Sequence, residues 1–400
     1  MLKQVYIIGA GTGCLGMLTA KGREIIQQCD ELYSTNRIGE LMTEIRRDIE
    51  NLPISEISLR VLESEASKVG VLVSGDTGFF SMTKSLLKSL EGKCQVEVIC
   101  GISSMQYLCS KTGRSYENMK IVSLHGRNNS ILGAVSYFPQ LFVLTGGSNK
   151  AHDICRFLSE QGLGEVRIIA GENLSMASER IIEGTAKELS ELKFEDLTVL
   201  IIENYNCTDH NISIRDEELT RGKVPMTKEE VRFVTIAKMK IKSKDIIYDI
   251  GAGTGSVAFE MARKAYKGMV YAIETNPDGI ELIKENRRLL SGYNVITVEG
   301  MAPQVMEELP RPDKAFIGGS KGNMDSIIKA LVEKNPEVFI AINAITLETL
   351  NEAMKVMEAN GFDAEIVCIN SARSKKVGGY NMMTANNPVY IISGGRYEQK

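Results

Sequence analysis

Ile246 to Gly255 reads IIYDIGAGTG, an apolar run around one acid, Asp249, followed by glycines at 251, 253 and 255. This pattern predicts a buried parallel strand that turns tightly into a helix. Such a turn brings backbone N–H groups and a helix N-terminus up to a ligand. The word GAGTG also stands at Gly9 to Gly13, again after an apolar run, VYII. Two copies predict two nucleotide-type pockets in one chain.

At 400 residues the chain has room for two or three domains. Alternating strand and helix patterns fill the first half. VGVLVSG (69–75), CQVEVICG (94–101), KIVSLHG, LFVLTGG, EVRIIAGE and LTVLIIEN read as strands, most ending in a glycine or small polar loop. In open α/β sheets ligands sit at such strand ends. Cys14 to Gln28 has helical spacing. The polar stretch from Asn204 to Pro225 has no long period. The division expected is therefore a first domain over 1–204, a linker over 205–223 and a second domain over 224–400. In the second domain Thr227 and Glu230 have capping-box spacing ahead of a periodic helix. Five βα units follow, and then two last strands separated by SARSKKVGGYNMMTANN, which reads as a loop. That layout is α/β, a class I Rossmann-like methyltransferase sheet with an antiparallel end pair.

Three ligands compete for the glycine words. A phosphate loop needs Lys and Ser/Thr after its last glycine, but Cys14–Leu15 and Ser256–Val257 stand there. The NAD fingerprint matches formally at Gly11-x-Gly13-x-x-Gly16, without an acid at the end of the second strand. For the second copy, Glu274 ends the strand MVYAIE one helix later, where a carboxylate can accept hydrogen bonds from a ribose diol. Asp249 is placed to meet an ammonium, and Ala302 an adenine edge. S-adenosylmethionine satisfies all three.

The formal charge of −4 disfavours a nucleic-acid partner. No run approaches the roughly 18 apolar residues of a membrane span, and the N-terminus enters a strand without a signal core. A cytoplasmic protein with no membrane partner is expected. The eight cysteines form no C-x-x-C pair and the three histidines stand near none, so no metal site is expected.

The words VPMTKEEVR (224–232), DIGAGTG (249–255), VYAIETNP (270–277), FIGGSKGN (316–323), AINAITLET (341–349) and NPVYII (387–392) make the second half resemble the decarboxylating precorrin-6B C15-methyltransferases. VYIIGAGTG, LVSGDTGFF (72–80), CGISSMQYL (100–108), VSLHGR (122–127) and ERIIEGT (179–185) make the first half resemble the tetrapyrrole methylases of the precorrin-7 C5 branch. The resemblance implies a two-lobed N-terminal fold and two S-adenosylmethionine sites. It also implies a bifunctional methyltransferase of cobalamin synthesis that methylates meso carbons 5 and 15 of a corrinoid and decarboxylates the carbon-12 acetate. Homo-oligomers are usual among such methylases. The implied cofactor contacts are Thr227, Gly251, Ala252, Gly253, Thr254, Gly255, Glu274 and Ala302 in the second half. In the first they are Asp76, Ser103 and Ser104, with Gly9, Gly11 and Gly13 shaping the cleft. Three prolines usual in the first-half family are replaced by Thr12, Thr77 and Cys100, so its loops must be looser or held by other packing.

A substrate rich in carboxylates calls for Arg or Lys in each pocket. The candidates are Arg127, Arg180, Lys321, Arg373 and the neighbouring Lys375 and Lys376. His125 is a candidate for proton transfer and Asn343 for orienting substrate. Two rival readings keep the folds. One changes the substrate to RNA or protein. The other leaves one half active and the other a cofactor-binding scaffold.

Overall fold

The computed structural model describes residues 2–124 and 130–396. The chain forms two compact units, Met1–Gly126 with Phe142–Ile202, and Arg127–Leu141 with Glu203–Lys400. No helix among the described residues is long and apolar enough to cross a membrane.

The first unit holds two five-stranded sheets. One is all parallel, with Gln4–Gly9 paired to both Lys68–Val73 and Gln95–Ile99. Successive side chains of the first strand go to opposite faces. Val5 and Ile7 pack with Val69, Val71 and Ile57. Tyr6 and Ile8 pack with Ile25, Ile26 and Leu72. Both faces are covered, which is why the strand reads as continuously apolar. The second sheet runs Lys120–Ser123, Gln140–Leu144, Thr198–Glu203, Arg167–Glu172, Arg180–Thr185, with an antiparallel pair at its end. The helix expected from Cys14 begins only at Ala20, where Thr19 caps it by accepting the Gly22 N–H.

Three strand-end loops of the parallel sheet meet at Gly9, Gly75 and Gly101. A Cβ on Gly101 would stand 2.2 Å from the Gly75 oxygen, so these backbones touch. Gly11 and Gly75 exchange backbone hydrogen bonds of 3.1 and 2.8 Å. The Asp76 carboxylate accepts the Gly78 N–H at 2.8 Å and the Gly101 N–H at 3.1 Å. Thr12 donates to Ser175 Oγ at 2.7 Å. Hydrogen bonds therefore hold the loops that lack proline.

The second unit is built on one seven-stranded sheet. Its order is Val295–Glu299, Met269–Glu274, Ile246–Ile250, Lys314–Ile317, Phe339–Ala344, Val389–Arg396, Phe362–Ile369. The first five strands are parallel and the last two pair antiparallel. This is the expected class I layout.

Four readings of the sequence are corrected here. SARSKKVGGYNMMTANN is no loop. Ala372–Val377 and Tyr380–Ala385 form an antiparallel hairpin. Nearly all of its residues are exposed on both faces, so no apolar alternation marks it. Thr227 caps nothing: the helix starts at Glu229 after Lys228 without a side-chain cap bond, and Glu230 binds Arg373 instead. Nor is the 205–223 stretch a free linker, because Ile214 and Leu219 are buried in the core of the second unit. Finally, the division is not a single cut: the chain divides between Ile202 and Glu203, close to the expected 204, but an earlier segment also leaves the first unit. Ser130–Tyr137 belongs with the second unit, where Tyr137 donates to Asn294 at 2.9 Å and Ser136 Oγ accepts the Tyr293 N–H at 3.0 Å. A Cβ on Gly133 would meet the Tyr266 oxygen at 2.3 Å.

Candidate active site

At the carboxyl end of the second unit's sheet lies a cavity of about 640 Å³. The strand Ile246–Ile250 delivers the glycine loop into it. Gly251 has φ +73°, and a Cβ there would lie 2.7 Å from the Gly319 oxygen, so the loop packs backbone to backbone against the next strand end. Only glycine meets both conditions.

Glu274 is buried at the wall of this cavity. One carboxylate oxygen accepts the Gly253 N–H at 2.7 Å, and the other accepts the N–H groups of Thr275 and Asn276 at 2.7 and 2.8 Å. A carboxylate has about four acceptor sites. Three are committed to the loop's own backbone. The Thr275 hydroxyl also donates to Glu274 at 3.4 Å, so the grip on a diol expected from the sequence needs that longer bond to give way and then has room for about one.

Asp249 lies beneath the glycine loop, 1% exposed, with no well-formed hydrogen bond to either carboxylate oxygen and only the Ala258 backbone N–H to favour its charge. Burial, and secondarily the Glu274 charge, push its pKa up to about 8. A buried carboxylate so short of donors is costly while ionised. Its side chain sits behind the loop and does not itself line the cavity. Thr254, also fully buried with an unpartnered hydroxyl, and Gly255, at the helix start with φ +77°, likewise shape the loop from beneath.

Thr227, Gly251, Ala252, Gly253, Glu274 and Ala302 line the cavity together. So do Lys321 and Asn343. Lys321 adopts a left-handed backbone, φ +48°, and donates to the Thr275 hydroxyl. Asn343 is held by Thr235 Oγ1 at 3.2 Å. The sequence reading missed Asn386 and Asn387 at the base of the hairpin, which also line the cavity. No sequence signal separated them from a polar loop.

The first unit has its own cleft of about 490 Å³. Ser103 and Ser104 line it, as does Thr12. Ser103 starts the helix Ser104–Thr112 with a complete capping box to Gln106. Gly9, Gly11, Gly13 and Asp76 do not line the cleft; they hold the loops that do. Arg37, missed in the sequence, lines it too.

Two cationic candidates are corrected. Arg180 pairs with the buried Glu172 at 2.8 Å and lies over the Phe194 ring. Arg373 makes a fork with Glu230 at 2.6 and 2.9 Å and reaches Asp216 at 3.3 Å. Neither lines a cavity, because each guanidinium is committed to carboxylates of its own unit. Lys375 and Lys376 are exposed on the hairpin. His125 and Arg127 lie outside the described residues.

Two family models match the chain. The precorrin methyltransferase domain covers residues 220–394, and the tetrapyrrole (corrin/porphyrin) methylases cover 4–190. A Pyrobaculum calidifontis protein, described as a probable cobalt-precorrin-6B C(15)-methyltransferase (decarboxylating), is 39% identical over 183 residues, 45% of this chain and 94% of its own. The chain belongs to the precorrin methyltransferases. A Sinorhizobium precorrin-6Y C(5,15)-methyltransferase (decarboxylating) is 27% identical over 400 residues, 97% of this chain and 94% of its own. Among solved structures, a precorrin-6y C5,15-methyltransferase from Geobacter metallireducens GS-15 is 38% identical. It covers 46% of this chain and 97% of that one, with a TM-score of 0.45. The precorrin methyltransferase match falls on the second unit and the tetrapyrrole methylase match largely on the first, and each unit carries a cleft of its own.

Proposed function

We propose that this chain is a bifunctional S-adenosylmethionine-dependent C-methyltransferase of cobalamin synthesis. Its first unit methylates meso carbon 5 of a corrinoid substrate. Its second methylates carbon 15 and releases the carbon-12 acetate carboxyl as carbon dioxide. It acts in the cytoplasm as a homo-oligomer.

The observation that carries this reading is Asp249. A buried carboxylate short of donors under a glycine cradle, with Glu274 beside it, fits the charged amino group and ribose of such a cofactor. When bound, S-adenosylmethionine supplies an already activated methyl carbon. The chain's own residues hold the cofactor and the substrate. Asp249 takes the ammonium, and Glu274 keeps the loop closed while accepting one ribose hydroxyl. Ala302, small and nearly buried, leaves room for the adenine edge. Lys321 receives a substrate carboxylate, and Asn343, fixed by Thr235, orients the ring. No nucleophilic side chain is needed, since an electron-rich meso carbon held in line at about 3–3.5 Å attacks by itself. The same enclosure removes water from the acetate carboxylate, with the macrocycle as electron sink. In the first unit Thr12, Ser103 and Ser104 offer the hydroxyls that line its cofactor cleft.

Incubation with the corrin precursor and S-adenosylmethionine, read by mass spectrometry, is expected to show two methyl groups gained and one carbon dioxide lost. One methyl gained with that loss would leave the second unit active alone. No change with either the cobalt or the metal-free precursor would refute the assignment. Glu274→Gln puts an amide where three backbone N–H groups need acceptors, and leaving such donors unmet costs about 1–3 kcal/mol each. S-adenosylhomocysteine binding to the second unit should weaken by at least about tenfold, with the first unit's binding unchanged. Unaltered calorimetric affinity at both sites would exclude the role given to Glu274.

A further inference from the structure

We infer that Arg37 and Phe80 are the substrate-reading residues of the first unit's cleft. Arg37 anchors a peripheral carboxylate of the macrocycle and Phe80 lies against its face. The inference rests on the corrinoid reading above and extends it to Arg37, which no motif marked, and to Phe80, the last residue of LVSGDTGFF, to which the resemblance gave no role.

Arg37 stands at the start of the helix Asn36–Leu41, just after the strand Glu31–Ser34. Its guanidinium enters the cleft and donates to Ser74 Oγ at 2.6 Å. Among the described residues it has no acidic partner. Burial alone acts on it, drawing its pKa below the usual arginine value. Arg46, Arg60, Arg114 and Arg180 of the same unit meet carboxylates, while Arg23, outside the cleft, reaches only the Leu15 carbonyl. A guanidinium carries five N–H donors in a planar fork that matches a carboxylate. Most of that fork is open here, in the one place where a ligand with carboxylates would enter.

Phe80 lies at the same cleft. It is 62% exposed, and its backbone is left-handed, φ +50°. A bulky side chain at positive φ is a backbone outlier. Here the conformation places an aromatic face in solvent, with Phe79 set edge-on behind it at 5.3 Å and Phe79 resting in turn on Phe142. Strain of this kind gathers at ligand clamps. The pairing of an open guanidinium with an exposed, backed aromatic face suits a large flat ligand with acidic arms. An adenosyl cofactor also carries one carboxylate and one flat ring, so the S-adenosylhomocysteine arm of the test below separates it from the macrocycle.

The test uses the full-length protein with the corrin precursor, following methylation at carbons 5 and 15 separately by fragmentation mass spectrometry. Arg37→Met should raise KM for the carbon-5 transfer by about tenfold or more, with little change in kcat. Arg37→Lys should restore part of it. Phe80→Gly removes both the ring and the strained backbone. It should therefore raise the same KM while the melting temperature holds or rises, a combination no structural role gives. Carbon-15 transfer, carbon dioxide release and S-adenosylhomocysteine binding should stay at wild-type values in all three. Unchanged KM in Arg37→Met and Phe80→Gly, with the wild type transferring at both carbons, overturns the inference alone. Weaker S-adenosylhomocysteine binding in Arg37→Met also overturns it, by assigning the residue to the cofactor. A wild type that neither binds the precursor nor methylates it refutes the corrinoid reading and this inference together.

Discussion

Binding of S-adenosylhomocysteine to the second unit at pH 7 is expected to release close to one proton, and Asp249→Asn to abolish that release. Asp249 carries both halves of the reason. Its pKa is pushed up to about 8 by burial and then by Glu274, so the free site holds a proton at pH 7. A ligand ammonium can pair only with the ionised form. The apparent affinity should therefore rise by about tenfold per pH unit on approach to pH 8, then level off. Folding shows the opposite sign. The unfolded carboxyl ionises near about 3.9, and the folded one near 8. Stability from this group is full below the lower value and falls by about 1.4 kcal/mol per unit as pH rises through that window. Asp249→Asn should thus make the ligand-free protein more stable at neutral pH while binding the ligand poorly. Calorimetry in two buffers of different ionisation enthalpy reads the proton directly. Affinity independent of pH, or an Asn variant binding as tightly as the wild type, would remove Asp249 from the site.

Arg232→Met is the second large effect, a loss of about 3–5 kcal/mol from the second unit. Arg232 is fully buried. It donates to Asp216 at 2.9 Å and to the Thr227 carbonyl at 2.9 Å, and also to the Ile214 carbonyl. Glu260, 2% exposed, lies 3.7 Å from its Nε and accepts the Ile214 N–H at 2.7 Å. Removing the guanidinium leaves buried Asp216 with Arg373 at 3.3 Å as its remaining cation and buried Glu260 with the Ile214 N–H. Methionine fills the space but offers no donor, and lysine would not restore the fork. Since a domain's whole stability is about 5–15 kcal/mol, the urea midpoint should move far toward lower denaturant. Cofactor binding should weaken as well, because Thr227 loses its backbone anchor beside the cavity. A midpoint within about 1 kcal/mol of wild type would mean that the network relaxes without cost.

This network also explains why the 205–223 segment misled the sequence reading. Its apolar residues are few, Ile212, Ile214 and Leu219, and too irregular to show a period. What ties it down is polar: Asp216 to Arg232, and Thr220 to Asn286 through a backbone N–H at 2.7 Å. Asn286 in turn donates to the Thr254 carbonyl at 3.0 Å, so the segment braces the glycine loop. Interactions that need one particular partner leave no pattern in the chain around them.

The strands and the glycine loop were legible because their causes are local. A strand buried on both faces must be apolar throughout, and a loop at positive φ that touches another backbone must be glycine; both conditions write themselves into consecutive residues. The acid at 274 was legible for the same reason, one helix away from the loop it closes. The charged residues were not. Arg373 and Arg180 carry the charge a substrate site requires, yet Glu230 and Glu172 had already claimed them. Arg37, unmarked by any motif, is a cation left open in the first cleft among the described residues. By itself the sequence determined two α/β folds and their family, since periodicity and backbone sterics act over a few residues. Only the tertiary structure decided which charges are spent inside the protein and which remain for a ligand, because pairing depends on distances that the order of residues does not carry.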